Sequence, residues 1–189
     1  MRVSKSVMLA VAGGILATAC DGKSGGVPTG LAPADAAAFD RDAGPIVTGA
    51  GNLLRDLGAG PELTTFSYNA VRQGDGDVSG HFVYHFRAAE FSMIGKVTCA
   101  TTLGNRAWIG GVIESVASDD PADQSFVGTD VWWLVEDNGN GGGDPPDRTT
   151  SLLLTLPGTT ITAASWCHDQ PVNPRIPLRD ITDGNIVIH

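Results

Sequence analysis

The segment Gly80–Ala88, GHFVYHFRA, carries an aromatic ring at every second position: Phe82, Tyr84 and Phe86. Two is the side-chain period of a β-strand, so these rings share one face, and His81 and His85 share the other. Three rings on one face call for a core on that side, with the opposite side left wetter. The run just upstream reads the same way. In TTFSYNAV, Phe66, Tyr68 and Ala70 alternate with Thr65, Ser67 and Asn69, and the turn-rich RQGDGDVSG separates the two runs. Downstream, FSMIGKVTCATTL and RAWIGGVIESV are joined by Gly104-Asn105, and TDVWWLVED, TSLLLTLP, TTITAASW and NIVIH follow. Together these make about eight strands, with turns every dozen residues or so. No amphipathic helix is expected after residue 61. The expected fold is all-β over residues 62–189, an antiparallel sandwich or a small closed barrel.

The chain before this domain has a different character. It opens MRVSKSVMLAVAGGILATAC, with Arg2 and Lys5 ahead of an apolar run from Val7 to Ala17 and small residues leading to Cys20. That is the layout of a secretory signal peptide over residues 1–19, too short to stay as a membrane span. Leu16-Ala17-Thr18-Ala19-Cys20 resembles the lipobox of bacterial lipoproteins, with Ala17 standing where that family usually has leucine. The resemblance implies lipidation of Cys20, anchorage to a membrane of the bacterial cell envelope, and a domain on the periplasmic or extracellular side. Asp21 resembles an inner-membrane retention signal. Several acyl chains on one cysteine hold firmly, each buried methylene contributing about 0.8 kcal/mol. Residues 20–61 are acidic and rich in Gly, Ala and Pro, and are expected to form a flexible tether. Short helices could form near Ala34–Phe39 and Asn52–Leu57, neither long enough to be stable alone.

Outside the cytoplasm, two cysteines left over after lipidation of Cys20 are expected to pair, so Cys99 and Cys167 are read as a disulfide. The loop closed would be about 70 residues, worth roughly 4 kcal/mol in the chain-entropy account. The alternative is two buried thiols acting as small hydrophobes. The net charge is −9 and becomes about −11 without Arg2 and Lys5. Such a chain does not bind nucleic acid by neutralising phosphates, and it carries no polybasic patch for anionic lipids.

Candidate chemistry concentrates in Val135–Asp147, VEDNGNGGGDPPD. Its spacing imitates an EF-hand loop, yet strands flank it and prolines stand where a helix should begin. A looser calcium site would use Asp137, Asp144, Asp147 and carbonyl groups. The other reading is a turn, in which Asp137-Asn138-Gly139 folds through its own side-chain bonds. His81 and His85 invite a transition-metal reading, but nothing in the sequence brings His168 or His189 to them. No serine lies in a glycine-framed elbow, and no phosphate-binding glycine loop precedes a helix. Trp132 and Trp133 are adjacent, so on a strand they face opposite ways. One belongs to the core, and the other is a candidate platform for a sugar or a partner.

Several runs taken in order, FSYNAVRQGDGDVSGHFVYHF, GKVTCATTLGNRAWIGGVI, VEDNGNGGGDPPDRTTSLLL and DGNIVIH, resemble the post-COAP-1-like family of secreted β-domains over about residues 63–189. The loop departs from that family, which commonly has an acid where Asn140 stands. The resemblance implies an accessory or interaction module without established catalysis. The functional expectation is therefore a non-catalytic cell-envelope lipoprotein with a structural, adhesive or interaction role toward an unidentified protein or glycan partner. The alternatives are a small-ligand or glycan-binding β-domain, favoured by a mouth-shaped pocket, and an enzyme of unknown type, favoured by a buried cluster of His or acids in a cleft.

Overall fold

The computed structural model describes residues 43–56, 60–139, 144–172 and 175–189. The expected signal peptide (residues 1–19), Cys20 and the expected tether as far as residue 42 lie outside the described residues. The described chain is mostly antiparallel β, in one sheet. Its strands are β1 (Gly44–Asp56), β2 (Pro61–Arg72), β3 (Val78–Phe86), β4 (Phe91–Leu103), β5 (Arg106–Ala117), β6 (Asp130–Glu136), β7 (Arg148–Thr149), β8 (Leu153–Leu154), β9 (Arg179–Asp180) and β10 (Asn185–Ile188). Among the described residues one α-helix, α1 (Ala163–Asp169), stands between β8 and β9. The path of pairing is β10-β1-β2-β3-β4-β5-β6-β7-β9, with β8 also on β6.

The alternation read in the sequence sets the inner face. Phe66, Tyr68 and Ala70 of β2 and Phe82, Tyr84 and Phe86 of β3 are all buried in one core. Trp133 of β6 is its hub, with ring centroids 5.6 Å from Tyr68, 5.5 Å from Phe82 and 5.9 Å from Tyr84. Edge-on and tilted contacts at such distances are the favoured geometry for aromatic pairs. The sheet bends tightly around Phe82, where β4 and β5 carry register shifts between Ile94 and Gly95 and between Val97 and Cys99. The bend depends on missing side chains: a Cβ on Gly95 would lie 2.5 Å from the Phe82 ring, and one on Gly111 3.0 Å from it.

Two expectations are corrected. The domain does not begin at residue 62. Gly44–Asp56, read as tether with a short helix near Asn52–Leu57, is a full strand paired with β2 along its length and with β10 over Val47–Ala50. Its small residues answer the aromatic rings opposite. Gly49 pairs with Tyr68 and Gly51 with Phe66, and a Cβ on Gly49 would lie 2.4 Å from the Tyr68 ring. Composition typical of a linker is here the complement of two rings. The second correction concerns TTITAASW, read as a strand. Its second half starts α1, where Thr162 and Ser165 form a reciprocal capping box and Ala163, Trp166 and Cys167 make one buried stripe.

The sheet curls until its far end is tied back to β1. The segment just after β9 bridges Ile181 to Leu53, and Asn52 exchanges backbone hydrogen bonds with Thr182 (2.9 Å) and Asp183 (3.2 Å).

Candidate functional site

The described parts of the segment Val135–Asp147, residues 135–139 and 144–147, lie at this seam. β10 pairs with β1 through one edge only, which leaves the N–H groups of Ile186 and Ile188 pointing away from β1. Two carboxylates take the place of a neighbouring strand. Asp147 accepts from Ile186 N at 2.7 Å, and Asp137 accepts from Ile188 N at 3.0 Å. The remaining carboxylate oxygens fold the loop itself, Asp147 accepting from Asn138 N at 2.7 Å and Asp137 from Gly139 N at 2.9 Å. Asn138 donates to the Pro146 carbonyl, and Gly139, at φ 97°, completes the turn. Asp147 is 5% exposed, so these bonds are shielded from water. Asp144 rests its carboxylate over Gly139, 2.7 Å from where a Cβ would stand. The sequence therefore located the loop, and the structure gives Asp137 and Asp147 the task of closing the sheet. Among the described residues, no three His, Cys, Asp or Glu side chains gather as a metal site.

An ion cluster built around one buried acid sits beside the loop and was not singled out as a site from the sequence. Glu136, 7% exposed, receives Arg106 at 2.8 Å and Arg148 at 3.5 Å, and Arg148 also reaches Asp180 at 3.4 Å. It joins β5, β6, β7 and β9. Only the register of the strands, which pairs Arg106 with Glu136 and Glu136 with Arg148, brings these charges together.

The tryptophan pair is split as expected, but neither ring is open to solvent. Trp133 faces the core. Trp132 faces outward and is covered by a second apolar cluster of Trp108, Leu134 and Trp166, flanked by Leu153, Ile161, Ile176 and Leu178. Trp166 of α1 lies tilted by 36° against Trp132 with centroids 4.3 Å apart and donates its indole N–H to Trp133 O at 3.0 Å. The expectation of an exposed aromatic platform is corrected: the helix that the sequence reading missed covers it. Cys99 and Cys167 are disulfide-bonded, with Cα atoms 6.2 Å apart, and the bond pins α1 to β4. His81 and His85 keep to the outer face as expected, with His85 Nδ1 and Ser92 Oγ 2.8 Å apart. His168 meets only Asp169 at 2.8 Å and is far more exposed.

Inside the curl, the hydroxyls of Tyr68, Tyr84 and Thr64 and the indole N–H of Trp133 are buried without a hydrogen-bond partner. Burial pushes the Tyr68 phenol up, and the negative charges of ionised Tyr84, Asp147 and Asp137 push it further. Burial likewise raises Tyr84. Thr149 slightly opposes that shift, but it does not stand in hydrogen-bonding geometry to the phenol and gives its own proton to Thr150 O at 2.9 Å. Such phenols stay neutral and are poor acid–base groups near neutral pH. The larger hollows lie on the outside and open widely. One of about 640 Å³ is lined by Asn69, His81, Lys96 and Glu114 among others, and Lys96 and Glu114 are themselves a loose 3.9 Å pair.

Compared with protein-family models, with curated proteins and with solved structures, this chain matches none.

Proposed function

We propose that the chain is a non-catalytic lipoprotein of the bacterial cell envelope. In this reading acyl chains on Cys20 hold it to a membrane, and the β-domain serves a structural, adhesive or interaction role of the kind the post-COAP-1-like likeness implies. Its partner is a protein or glycan of the envelope. The observation that carries this reading is the filled interior. Trp133, Tyr84, Phe82 and Phe66, all at 2% exposure or less, stand where a ligand carrier would need its chamber. A packed curl with its acids bonded to its own backbone favours a stable module over a carrier or an enzyme.

The test is metabolic labelling of the full-length chain with a radioactive fatty acid, beside the Cys20→Ser variant. Label and detergent-phase partition are expected for the first and absent from the second. An unlabelled, water-phase parent protein overturns the anchor. Photoreactive residues at Val83 and Ile94, both exposed on the outer face, then report the partner. A crosslink to an envelope component supports the interaction role, and a chain free of crosslinks at both positions in intact cells counts against it.

A further inference from the structure

Between β8 and β9 the chain leaves the sheet, and α1 packs across the outer face of β4, β5 and β6. No residue from 155 to 172 belongs to the inner core, and the buried Trp166 and partly buried Ile161 of this excursion join the outer cluster instead. Its two ends are tied into the sheet, at Leu154 against Val131 and at Arg179 against Thr149. We infer that residues 155–172 form a redox-locked strap: the Cys99–Cys167 bond holds it down, and reduction by a dithiol lifts it as a unit, uncovering Trp108, Trp132 and Leu134 while the sheet stays intact.

The locality follows from what each part contributes. α1 is seven residues long, too short to persist as a helix once undocked. The segment's remaining ties are few: Thr155 N to Asp130 O at 2.9 Å at its start, Ala163 N to the Asp130 carboxylate at 3.1 Å, Trp166 to Trp133 O at 3.0 Å, and Trp108 Nε1 to Pro171 O at 3.0 Å. The Asp130 carboxylate and the indole N–H groups of Trp108 and Trp166 are side-chain groups outside the ladders of β4, β5 and β6, and only the Asp130 and Trp133 carbonyls belong to a strand backbone. Regions of this kind open at lower free energy than the strands beneath them. Attack falls on Cys99, which is partly exposed, whereas Cys167 is 5% exposed. A thiolate of the dithiol forms a mixed disulfide with Cys99 and releases the Cys167 thiolate. The second thiol of the reductant then displaces Cys99. Two electrons and two protons pass from the dithiol to Cys99 and Cys167, and the dithiol leaves as its own disulfide.

Hydrogen exchange on the full-length protein tests this in three forms: oxidised, treated with dithiothreitol, and as the Cys99→Ser/Cys167→Ser variant. Amides of Ala163–Gln170 are expected to exchange at least about tenfold faster in the second and third forms, with those of β2 to β5 changing less than about twofold. Equal acceleration of strap and sheet overturns the proposal, because the bond would then only stabilise the whole. An unchanged strap overturns it as well. Gly110→Ala gives a second route with both cysteines in place. Its Cβ would lie 2.7 Å from Cys99 Sγ and 2.8 Å from the Ala163 Cβ, so the strap cannot seat fully. Reduction by dithiothreitol is expected to be about tenfold faster in that variant; an unchanged rate rejects the strap as the barrier.

Discussion

Removing the Asp147 carboxylate should open the seam between the loop and β10. Its two oxygens each accept one backbone N–H, from Asn138 and Ile186, both at 2.7 Å. A hydrogen bond to a charged group is worth about 1.5–3 kcal/mol, and a buried donor left without a partner costs about 1–3 kcal/mol. Ile186 is fully buried, so water does not easily replace the lost acceptor there, whereas Asn138 is half-exposed and can recover part of its loss. The sum for Asp147→Ala is about 3–4 kcal/mol. Asp147→Asn keeps one acceptor but turns an N–H₂ group toward the other donor, and is expected at about 2–3 kcal/mol. A domain of ordinary stability, about 5–15 kcal/mol, survives either change with a visible loss. Urea unfolding of the oxidised protein should show a lower midpoint with an unchanged slope. Melting should fall by about 2–4 °C for each kcal/mol lost. The Ile186 amide should lose protection before the amides of β2 and β3. A loss under about 0.5 kcal/mol, with Ile186 still protected, would refute the view that the carboxylate substitutes for a strand.

The chain has two tyrosines, Tyr68 and Tyr84, both buried and both with raised pKa. Stability is therefore complete below pH 10 and falls above it, by about 1.4 kcal/mol per pH unit for each tyrosine. Phenolate absorbance should rise only in step with the loss of the far-ultraviolet strand signal, and phenolate in a folded protein would contradict this. Gly49→Ala should cost about 1–3 kcal/mol by overpacking against Tyr68, and less in a Tyr68→Leu background, as read by urea unfolding; equal losses in both would rule out the ring contact. Trp133→Ala should cost about 3–5 kcal/mol, and Trp132→Ala should also destabilise, because Trp166 covers it; an unchanged melt for Trp132→Ala would mean that the outer face is open. Calcium or zinc added after EDTA is expected to leave the melt in place. A ligand at a hundred times its dissociation constant adds about 2.7 kcal/mol, so a real site at Asp137, Asp144 or Asp147 would show.

The legible parts of the fold were those where one face is much more apolar than the other. Phe82, Tyr84 and Phe86 declared their strand because the aromatic period survives in a single segment. β1 stayed hidden because its logic is split between two segments: Gly49 and Gly51 make sense only opposite Tyr68 and Phe66, and register is not a property of either segment alone. α1 was misread for a different reason. ITAASW is rich in residues neutral between helix and strand, and the signals that decide it are the Thr162–Ser165 cap and the spacing of Ala163, Trp166 and Cys167. The cysteine pairing was readable from counting, but its use in fastening a helix over Trp132 was not, because the helix itself was missing from the reading. The acids of the loop were conspicuous in the sequence. Their partners, Ile186 and Ile188, are backbone groups about forty to fifty positions further on, which no side-chain motif records.

The pairing of β1 with β10, Val47 opposite Ile188, joins positions from nearly opposite ends of the described chain. During synthesis, a chain that emerges amino end first can form the ladders from β1 to β6 one neighbour at a time, but β1 must wait with one edge unpaired until residues 185–188 arrive. Closing so long a loop is slow compared with forming the hairpins before it. The waiting intermediate carries an open edge of β1 and exposed Phe66 and Tyr68, the kind of surface that recruits a second chain. The yield of folded protein, and the fraction recovered as aggregates, should therefore respond more sharply to lesions at Asn185–Ile188 than to equal losses of stability in β3.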